Sequence, residues 1–262
     1  MMQVKPKKAL GQHFLTDMNI AARIAATLDE YKGLPIIEVG PGTGVLTRFL
    51  LDAGHDVKVV EIDTESIQYL KENFPELDDR IIERDFLTLD LNEVVPGDGK
   101  FCVIGNYPYN ISSQIFFHVL DYKDRVICCS GMLQREVAER LAAPAGTKAR
   151  GILSVLLQAW YNVDYLFTVD EKVFNPPPKV KSGVIKMVRN DIDDLGCDPR
   201  LFKSVVKTSF GQRRKTLRNS LRGMLPPEVS PQILENPIWS QRPEQLSVEQ
   251  FIQLTTLISS CR

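Results

Sequence analysis

The first 190 residues alternate two kinds of segment, and this alternation limits the chain to few folds. Short apolar runs rich in Val and Ile predict strands at 34–40, 56–63, 79–86, 101–105, 125–133 and 181–188. Segments with apolar residues at helical spacing predict helices at 17–30, 44–54, 64–74, 112–122 and 134–143, and Thr64 is placed to cap the third of them. Strands that alternate with such helices indicate a parallel sheet covered on both faces. We therefore predict a doubly wound α/β domain.

The pattern changes near residue 187. Two later segments, 199–225 and 242–260, have helical spacing, and a Pro-rich stretch at 225–237 separates them. We place a boundary between residues 189 and 190. Residues 1–189 then form the α/β domain, with a basic arm at 1–16, and residues 190–262 form a small helical domain.

Composition argues against several classes of protein. Of the 262 residues, 44% are hydrophobic and 25% are charged, as in ordinary soluble globular proteins. No run approaches the roughly 18 to 20 apolar residues of a membrane span, and the N-terminus has no apolar run of signal-peptide length. Five cysteines with no C-x-x-C pair disfavour a metal or disulfide framework, and Cys102, Cys128 and Cys129 are expected to be buried thiols. We expect a cytoplasmic protein with no metal site and no membrane partner.

Positive charge is concentrated in one segment. The formal net charge is −1, but residues 199–227 carry eight Lys or Arg and no Asp or Glu, which leaves −9 on the rest of the chain. Arg214, Arg218 and Arg222 recur every four residues, so we predict that they share a helix face. Such a face is either merely solvated or binds RNA phosphates, and the lack of acids favours phosphate contacts. The candidate RNA contacts are Lys5, Lys7, Lys8, Arg213, Arg214, Lys215, Arg218 and Arg222.

Three features follow successive predicted strands. The sequence "EVGPGTG" joins the first strand to a helix, Glu61 ends the second strand and Asp85 ends the third. Taken singly, the glycines could form only a sharp turn, and each acid could be a solvated charge. Because ligands bind open α/β sheets at the carboxyl ends of the strands, the three together indicate a bound ligand. The glycines are not spaced as G-x-G-x-x-G, which argues against a dinucleotide. Glu61 could accept from two ribose hydroxyls and Asp85 from an adenine amino group, so we infer an adenosine-containing cofactor.

The fourth strand ends in "NYPY", which a simple turn does not explain. Asn106 offers a side-chain oxygen, and Pro108 pushes the residue before it into an extended conformation that can project the Tyr107 carbonyl into the site. Two acceptors aimed at one point can hold both hydrogens of an exocyclic amine, and the Tyr109 ring can stack on a flat base. This string therefore predicts a site that grips a planar amine.

The motifs together resemble one known family. "EVGPGTG", "VEID", "RDF" and "NYPY" are similar to the motifs of class I S-adenosylmethionine-dependent methyltransferases. "KKALGQHFL", "MLQREVAERL", "FNPPPKVKS" and "SFGQRRKTLRNSL" narrow the resemblance to the ribosomal RNA adenine dimethyltransferases, and most closely to those that act on the small subunit. The resemblance spans nearly the whole chain. It implies a Rossmann-like catalytic domain, an RNA-binding helical domain and dimethylation of adenine N6 in a loop of 16S rRNA, coupled to small-subunit biogenesis.

The resemblance also implies roles for individual residues. The implied cofactor-binding residues are His13, Leu15, Gly40, Gly42, Glu61, Ile62, Asp85, Phe86 and Asn106. The implied catalytic residues are Asn106, Tyr107, Pro108, Tyr109 and Phe174, with Phe174 facing the target base. Many members have Leu in place of Tyr107 and Asn in place of His13. The implied partner is the precursor of the small ribosomal subunit with its 16S rRNA, and we expect a monomer.

Three other functions are weighed against this one. A large-subunit (23S) adenine methyltransferase of the antibiotic-resistance type shares the catalytic motifs, although the helical tail and "FGQRRKTLRNSL" favour the small subunit. The chain could instead act mainly as a subunit-assembly factor whose site serves as a checkpoint. A nicotinamide-dependent oxidoreductase would rest on the glycine loop alone and would leave "NYPY" without a role.

Overall fold

The structure is a computed structural model, which describes residues 4–261 apart from residues 228 and 230. Its chain forms two compact units. The first contains Met1–Ala138 and Val163–Arg189, and the second contains Glu139–Asn162 and Asn190–Arg262. The structure thus differs from the predicted division, which assigned residues 139–162 to the first domain. That segment contains the buried residues Leu153, Val155 and Leu157, and its helix packs on a helix of the second unit.

Among the described residues, nine strands form two sheets. In chain order they are β1 Phe14–Leu15, β2 Pro35–Val39, β3 Asp56–Glu61, β4 Ile81–Glu83, β5 Phe101–Asn106, β6 Val126–Gln134, β7 Tyr161–Val169, β8 Phe174–Asn175 and β9 Ser182–Arg189. The main sheet has the order β4-β3-β2-β5-β6-β9-β7, and β1 pairs with β8 in a separate two-stranded sheet. The strands β4, β3, β2, β5 and β6 are parallel, while β9 runs antiparallel to β6. The predicted parallel sheet is confirmed for these five strands.

Eleven α-helices lie in the part of the chain that the structure describes. They are α1 Met18–Ala25, α2 Val45–Asp52, α3 Thr64–Asn73, α4 Leu91–Val94, α5 Ser112–Asp121, α6 Arg135–Leu141, α7 Ile152–Gln158, α8 Pro199–Gly211, α9 Leu217–Ser220, α10 Pro231–Leu234 and α11 Val248–Ser259. The predicted cap Thr64 is wrong, because Asp63 is the N-cap of α3 and its side chain accepts from the Glu65 N–H. The carboxylate of Asp63, which lies just before the helix, can accept from the free N–H groups of its first turn.

The central strands are buried on both faces. Cys102 and Ile104 of β5 belong to a core cluster with Ile24 of α1 and Leu50 of α2, while Val103 is equally buried and points to the opposite face. Such continuous burial explains the unbroken apolar runs of the parallel strands. Because β2, β3, β4 and β5 are parallel and adjacent, their carboxyl ends meet at one edge of the sheet.

Strands β7, β1 and β8 were not predicted from the sequence. Along β7, exposed residues alternate with partly buried ones, as expected of a strand at the sheet edge with one solvated face. Its apolar residues are therefore diluted by polar ones, and the segment lacks the apolar run that marks the central strands. Strands β1 and β8 have two residues each, too few for a period to be read.

In the second unit, the helical segment predicted at 199–225 is interrupted, and the sequence pattern does not reveal this interruption. Helix α8 ends at Gly211, and α9 begins only at Leu217. Between them, "QRRKT" offers no apolar side chain to bury, so nothing holds these residues in helical geometry. The prediction that Arg214, Arg218 and Arg222 share one helix face is therefore wrong: they lie in a turn, in α9 and in a 3₁₀ turn at Arg222–Met224.

Two further expectations bear on the described residues. Cys102, Cys128 and Cys129 are free and completely buried, as predicted. None of the helices described is both long and apolar enough to span a membrane.

Candidate functional site

A cavity of about 200 Å³ opens at the carboxyl ends of β2, β3, β4 and β5. The N-terminal arm forms one wall, and the loops after the four strands form the others. The lining residues are Ala9 to Phe14, Val39, Gly40, Gly42, Val60, Glu61, Ile62, Arg84 to Leu87 and Asn106 to Ile111. The structure thus brings the four predicted strand-end motifs into one site.

The glycine loop after β2 closes the bottom of this cavity. Gly40 and Gly42 have φ values of 65° and 55°, a region that L side chains rarely adopt. A Cβ at Gly42 would lie only 2.9 Å from Cε1 of Phe14, so the arm approaches this loop too closely for any side chain. The loop is therefore a backbone surface, which can come close to a ligand.

Glu61 is buried at the end of β3 and its carboxylate is largely held by main-chain donors. Its Oε1 accepts from the N–H groups of Ile62 (2.8 Å) and Asp63 (2.9 Å), and its Oε2 accepts from Gly42 N–H at 3.2 Å. Burial raises the pKa of Glu61, and these three hydrogen bonds act against the rise. Oε2 retains capacity to accept a further hydrogen bond from a ligand hydroxyl.

Asp85 and its neighbours form the wall after β4. The Oδ1 of Asp85 accepts from Leu87 N–H at 2.9 Å and so fixes the carboxylate, while Oδ2 accepts from none of the described residues. Phe86 is buried and meets the His118 ring edge-on at 5.2 Å. Ile62 is 54% exposed at the cavity, an unusual exposure for a large aliphatic side chain. An acceptor between two apolar surfaces suits a flat heterocycle with an amino group.

Asn106 has its orientation set by the arm. Its Nδ2 donates to the His13 carbonyl at 3.0 Å. Because a carbonyl oxygen only accepts, the amide cannot be reversed, and its Oδ1 is the atom left to accept from a ligand. The carbonyl of the next residue, Tyr107, accepts from no donor in the part of the chain that the structure describes. The site therefore holds two unused acceptors on adjacent residues.

Tyr109 and His13 stand next to these acceptors. Their ring centroids are 5.2 Å apart with planes inclined by 32°, so His13 covers part of one face of Tyr109. The Tyr109 hydroxyl is hydrogen-bonded to the Ser182 hydroxyl, and burial raises its pKa. His13 Nδ1 lies 2.9 Å from the Pro176 carbonyl and must carry a hydrogen there.

The site can be compared with known proteins. A family model described as ribosomal RNA adenine dimethylase matches residues 3–259. The chain belongs to the ribosomal RNA adenine dimethylase family. Ribosomal RNA small subunit methyltransferase A of Parabacteroides distasonis is 68% identical over 257 residues, which are 98% of this chain and 95% of that protein. The protein of the same name in Flavobacterium johnsoniae is 54% identical over 260 residues, 99% of this chain and 98% of that protein.

Solved structures establish the fold of this chain. A dimethyladenosine transferase from Plasmodium falciparum has a TM-score of 0.77 and 24% identity, and the match covers 92% of this chain and 96% of that one. The 23S rRNA methyltransferase ErmE has a TM-score of 0.70 and 25% identity, covering 94% of this chain and 99% of that one. The predicted class I methyltransferase fold is confirmed, and with it the family resemblance. An oxidoreductase finds no support here.

Two predicted site residues of the dimethylase lie away from the main cavity. Phe174 is 4% exposed and belongs to the hydrophobic core, and Leu15 opposite it is 6% exposed. Pairing of β1 with β8 places both side chains in this core, so neither lines the cavity. Leu15 lines a smaller void of about 40 Å³ beside Gly42. Phe174 therefore lies outside the lining of the main cavity.

The contacts that hold the N-terminal arm beside the cavity were not predicted from the sequence. Lys7 Nζ is paired with the carboxylate of Asp63 and lies 3.2 Å from Glu65, and Gln12 Nε2 donates to Asp63 Oδ2 at 3.2 Å. Burial favours a raised pKa for Asp63, but the hydrogen bonds from Lys7 and Gln12 outweigh it and lower the pKa. Lys7 is thus engaged by acids beside the cavity. The sequence indicated the basic charge of the arm and, through the family resemblance, contacts from His13 and Leu15, but it did not indicate these links to Asp63.

Glu38 is a second residue that sequence reasoning passed over. It is 1% exposed in β2, and its Oε2 accepts from the Thr47 hydroxyl at 2.7 Å. Burial raises its pKa to about 8, an effect to which the nearby carboxylate of Glu61 adds. Glu38 stands just ahead of the glycine loop in the sequence, but a single acid within a strand forms no pattern that would mark it as a special residue.

The basic residues of the second unit are mostly exposed. Arg214, Lys215, Arg218 and Arg222 are exposed, and Arg213 is half-buried with a hydrogen bond to the Lys148 carbonyl. Arg218 donates to the Leu234 carbonyl at 2.5 Å. In the first unit, Lys5 and Lys8 of the arm are exposed.

Proposed function

We propose that this protein dimethylates N6 of adenines in a loop of 16S rRNA, with S-adenosylmethionine as the methyl donor. The observation that carries the proposal is the end of β5. There the Asn106 Oδ1 and the Tyr107 carbonyl are adjacent unused acceptors in the cavity, and the Tyr109 ring stands beside them. Two acceptors and one ring match the two hydrogens and the flat face of an adenine amine.

The rest of the cavity fits the proposed cofactor. Glu61 Oε2 can accept from ribose hydroxyls, and Asp85 Oδ2 can accept from an adenine amino group between Ile62 and Phe86. Gly40 leaves open the space that a Cβ would fill, since the nearest side-chain atom to that position is Pro108 Cδ at 3.9 Å, and a methionine chain could approach closely there. His13 contributes through its carbonyl, which orients Asn106, in addition to its ring.

The side chains act on the amine. When bound, the cofactor supplies a methyl group that its sulfonium has already activated. The adenine N6 lone pair is delocalised into the ring, and hydrogen bonds from N6 to the Asn106 Oδ1 and the Tyr107 carbonyl favour the pyramidal, partly positive nitrogen of the transition state. A side-chain base is unnecessary, because the nitrogen loses its proton readily once it is alkylated. The protein therefore contributes alignment and polarity.

The proposed RNA contacts position the substrate. Exposed basic side chains in the segment 213–222 and in the arm can neutralise phosphates without reading sequence. Specificity would then come from RNA shape and from an unpaired adenine that leaves its stack to enter the cavity. We propose that the protein meets its substrate as a precursor of the small ribosomal subunit in the cytoplasm, and that it acts there as a monomer.

The test is transfer of labelled methyl groups to small ribosomal subunits that lack the modification. We expect label in N6,N6-dimethyladenosine of 16S rRNA, mapped by mass spectrometry of nuclease fragments. Purified large subunits serve as the second substrate. Because ErmE is a 23S rRNA methyltransferase with 25% identity to this chain, label in 23S rRNA alone would favour that second function. Binding of cofactor and subunits with no label in either RNA would instead favour an assembly factor.

A further inference from the structure

The Tyr107 side chain occupies a slot made by two glycines. Gly105 of β5 and Gly131 of β6 face each other in the parallel register. A Cβ on Gly105 would lie 2.7 Å from the Val39 carbonyl oxygen and 3.0 Å from the Tyr107 ring, and a Cβ on Gly131 would lie 2.1 Å from the Gly105 carbonyl oxygen and 2.7 Å from the ring. Any larger residue at either position would therefore collide with the ring. Two neighbouring strands thus lack side chains at the rung where this one ring packs.

Four contacts hold the residue in this slot. The Tyr107 hydroxyl donates to the Ser130 carbonyl at 2.7 Å and lies 3.3 Å from Cys129 Sγ. The ring meets Phe116 edge-on at 5.3 Å, and the Tyr107 N–H donates to the Met132 carbonyl at 2.8 Å. Only 1% of the residue is exposed, and burial raises the pKa of the phenol well above its usual value, so the hydroxyl remains a donor.

These contacts leave one polar group of Tyr107 without a partner among the described residues, the carbonyl at the cavity. Its direction depends on the backbone torsions of Tyr107 and on Pro108, which restricts them. Because the hydroxyl is hydrogen-bonded at the far end of the side chain and the buried ring packs against Phe116, those torsions have little freedom. We infer that the Tyr107 side chain is a positioning residue, which aims its own carbonyl at the amine of the substrate. This inference rests on the proposed function.

The direction of the Tyr107 carbonyl should affect the two methyl transfers differently. An unmodified adenine presents two N6 hydrogens, which engage the Asn106 Oδ1 and the Tyr107 carbonyl together. After the first methyl transfer only one hydrogen remains, so the two transfers depend on the carbonyl to different extents. A displaced carbonyl should therefore change the two rates by different factors. A purely structural role would instead reduce the amount of folded enzyme and slow both transfers equally.

The experiment compares Tyr107→Phe with the unaltered protein. The substitution keeps the ring and removes only the hydrogen bond to the Ser130 carbonyl. Tyr122→Phe is the matched control, since it removes a hydroxyl that donates to Asp90 at 3.0 Å outside the cavity. Rates of mono- and dimethyladenosine formation are measured by mass spectrometry, and titration with S-adenosylmethionine gives the folded fraction. Tyr107→Leu, which empties the slot, is measured in the same way.

We expect Tyr107→Phe to bind the cofactor within about twofold of the unaltered protein and to slow methyl transfer about tenfold, with a changed ratio of monomethyl to dimethyl product. Tyr122→Phe should leave rates and ratio unchanged. Equal rates and ratio for Tyr107→Phe, or a loss that matches its folded fraction, would overturn the inference while leaving the proposed function intact. Failure of the unaltered protein to methylate adenine would overturn both.

Discussion

At the scale of single residues, Asn106 shows how one hydrogen bond assigns a role. Its amide nitrogen donates to the His13 carbonyl, which leaves Oδ1 as the atom that can accept from the proposed substrate. Asn106→Ala should therefore slow methyl transfer by about a hundredfold or more, while the affinity for S-adenosylmethionine changes by about threefold or less. Single-turnover rates and isothermal titration measure the two quantities. Asn92→Ala, at an exposed position, is the control, and equal losses of rate and affinity would contradict the role given to Asn106.

Burial of Glu38 makes the free energy of unfolding of this protein depend on pH. Its pKa of about 8 in the folded protein exceeds that of an unfolded Glu, near 4.5, so the folded state binds the additional proton between these values. The free energy of unfolding should therefore fall as pH rises through this window. Glu38→Gln, which keeps an acceptor for the Thr47 hydroxyl, should be more stable than the unaltered protein at pH 8 by about 1–3 kcal/mol.

Urea unfolding at pH 5 and pH 8 measures this difference. The exposed Glu72→Gln serves as control and should follow the unaltered protein at both pH values. Parallel pH profiles for Glu38→Gln and the unaltered protein would show that Glu38 ionises without cost in its buried position.

At the scale of elements, the N-terminal arm is a structural part of the cavity wall. The ion pairs of Lys7 with Asp63 and Glu65 hold it beside α3. Lys7→Met should weaken S-adenosylmethionine binding about fivefold, because the arm then has to be ordered by the ligand. Titration calorimetry without RNA measures this, with the exposed Lys32→Met as control. Unchanged affinity would leave Lys7 only the RNA contact predicted from its charge.

Because the chain leaves helical geometry between α8 and α9, the basic side chains of this segment do not share one helix face. Arg214 lies in an exposed turn, where its side chain is free of the regular spacing of a helix. Arg214→Ala should weaken binding to 16S rRNA and reduce the slope of log affinity against log salt by about 0.7 to 0.9, the contribution of one phosphate contact. Lys203→Ala, exposed on α8, is the control for a mere change of net charge. An unaltered slope would show that Arg214 contacts no phosphate and that the turn is only a solvated surface.

The sequence predicted the elements whose pattern comes from burial. The parallel strands and their terminal residues Glu61, Asp85 and Asn106 were found because strands buried on both faces read as apolar runs. The burial of Phe174 outside the cavity lining could not be predicted, because pairing of β8 with β1 joins residues 159 to 161 positions apart, which no local pattern encodes. The links from Lys7 and Gln12 to Asp63 were missed for the same reason.

At the scale of the whole molecule, Arg150 is a buried cation that organises the second unit. It is 1% exposed and donates to the carbonyls of Leu246 (3.1 Å) and Ala143 (2.8 Å) and to Gln158 Oε1 (2.6 Å). Arg150→Met would remove these three hydrogen bonds, and only the Ala143 carbonyl would keep a described donor, Gln158 Nε2 at 3.0 Å, so we expect the free energy of unfolding to fall by about 2–4 kcal/mol. Urea denaturation measures the change. The exposed Arg200→Met is the control, and equal stability of the two variants would contradict the role of Arg150.

The chain passes from one unit to the other three times, after Ala138, Asn162 and Arg189. A gene fragment cut at any single point therefore cannot encode either unit alone. A fragment ending at residue 189 would retain Arg150 but lose the Leu246 carbonyl that it donates to. In evolutionary terms, the second unit is not a cassette that one recombination event could exchange. New RNA targets would have to arise by substitutions on its surface rather than by replacement of the unit.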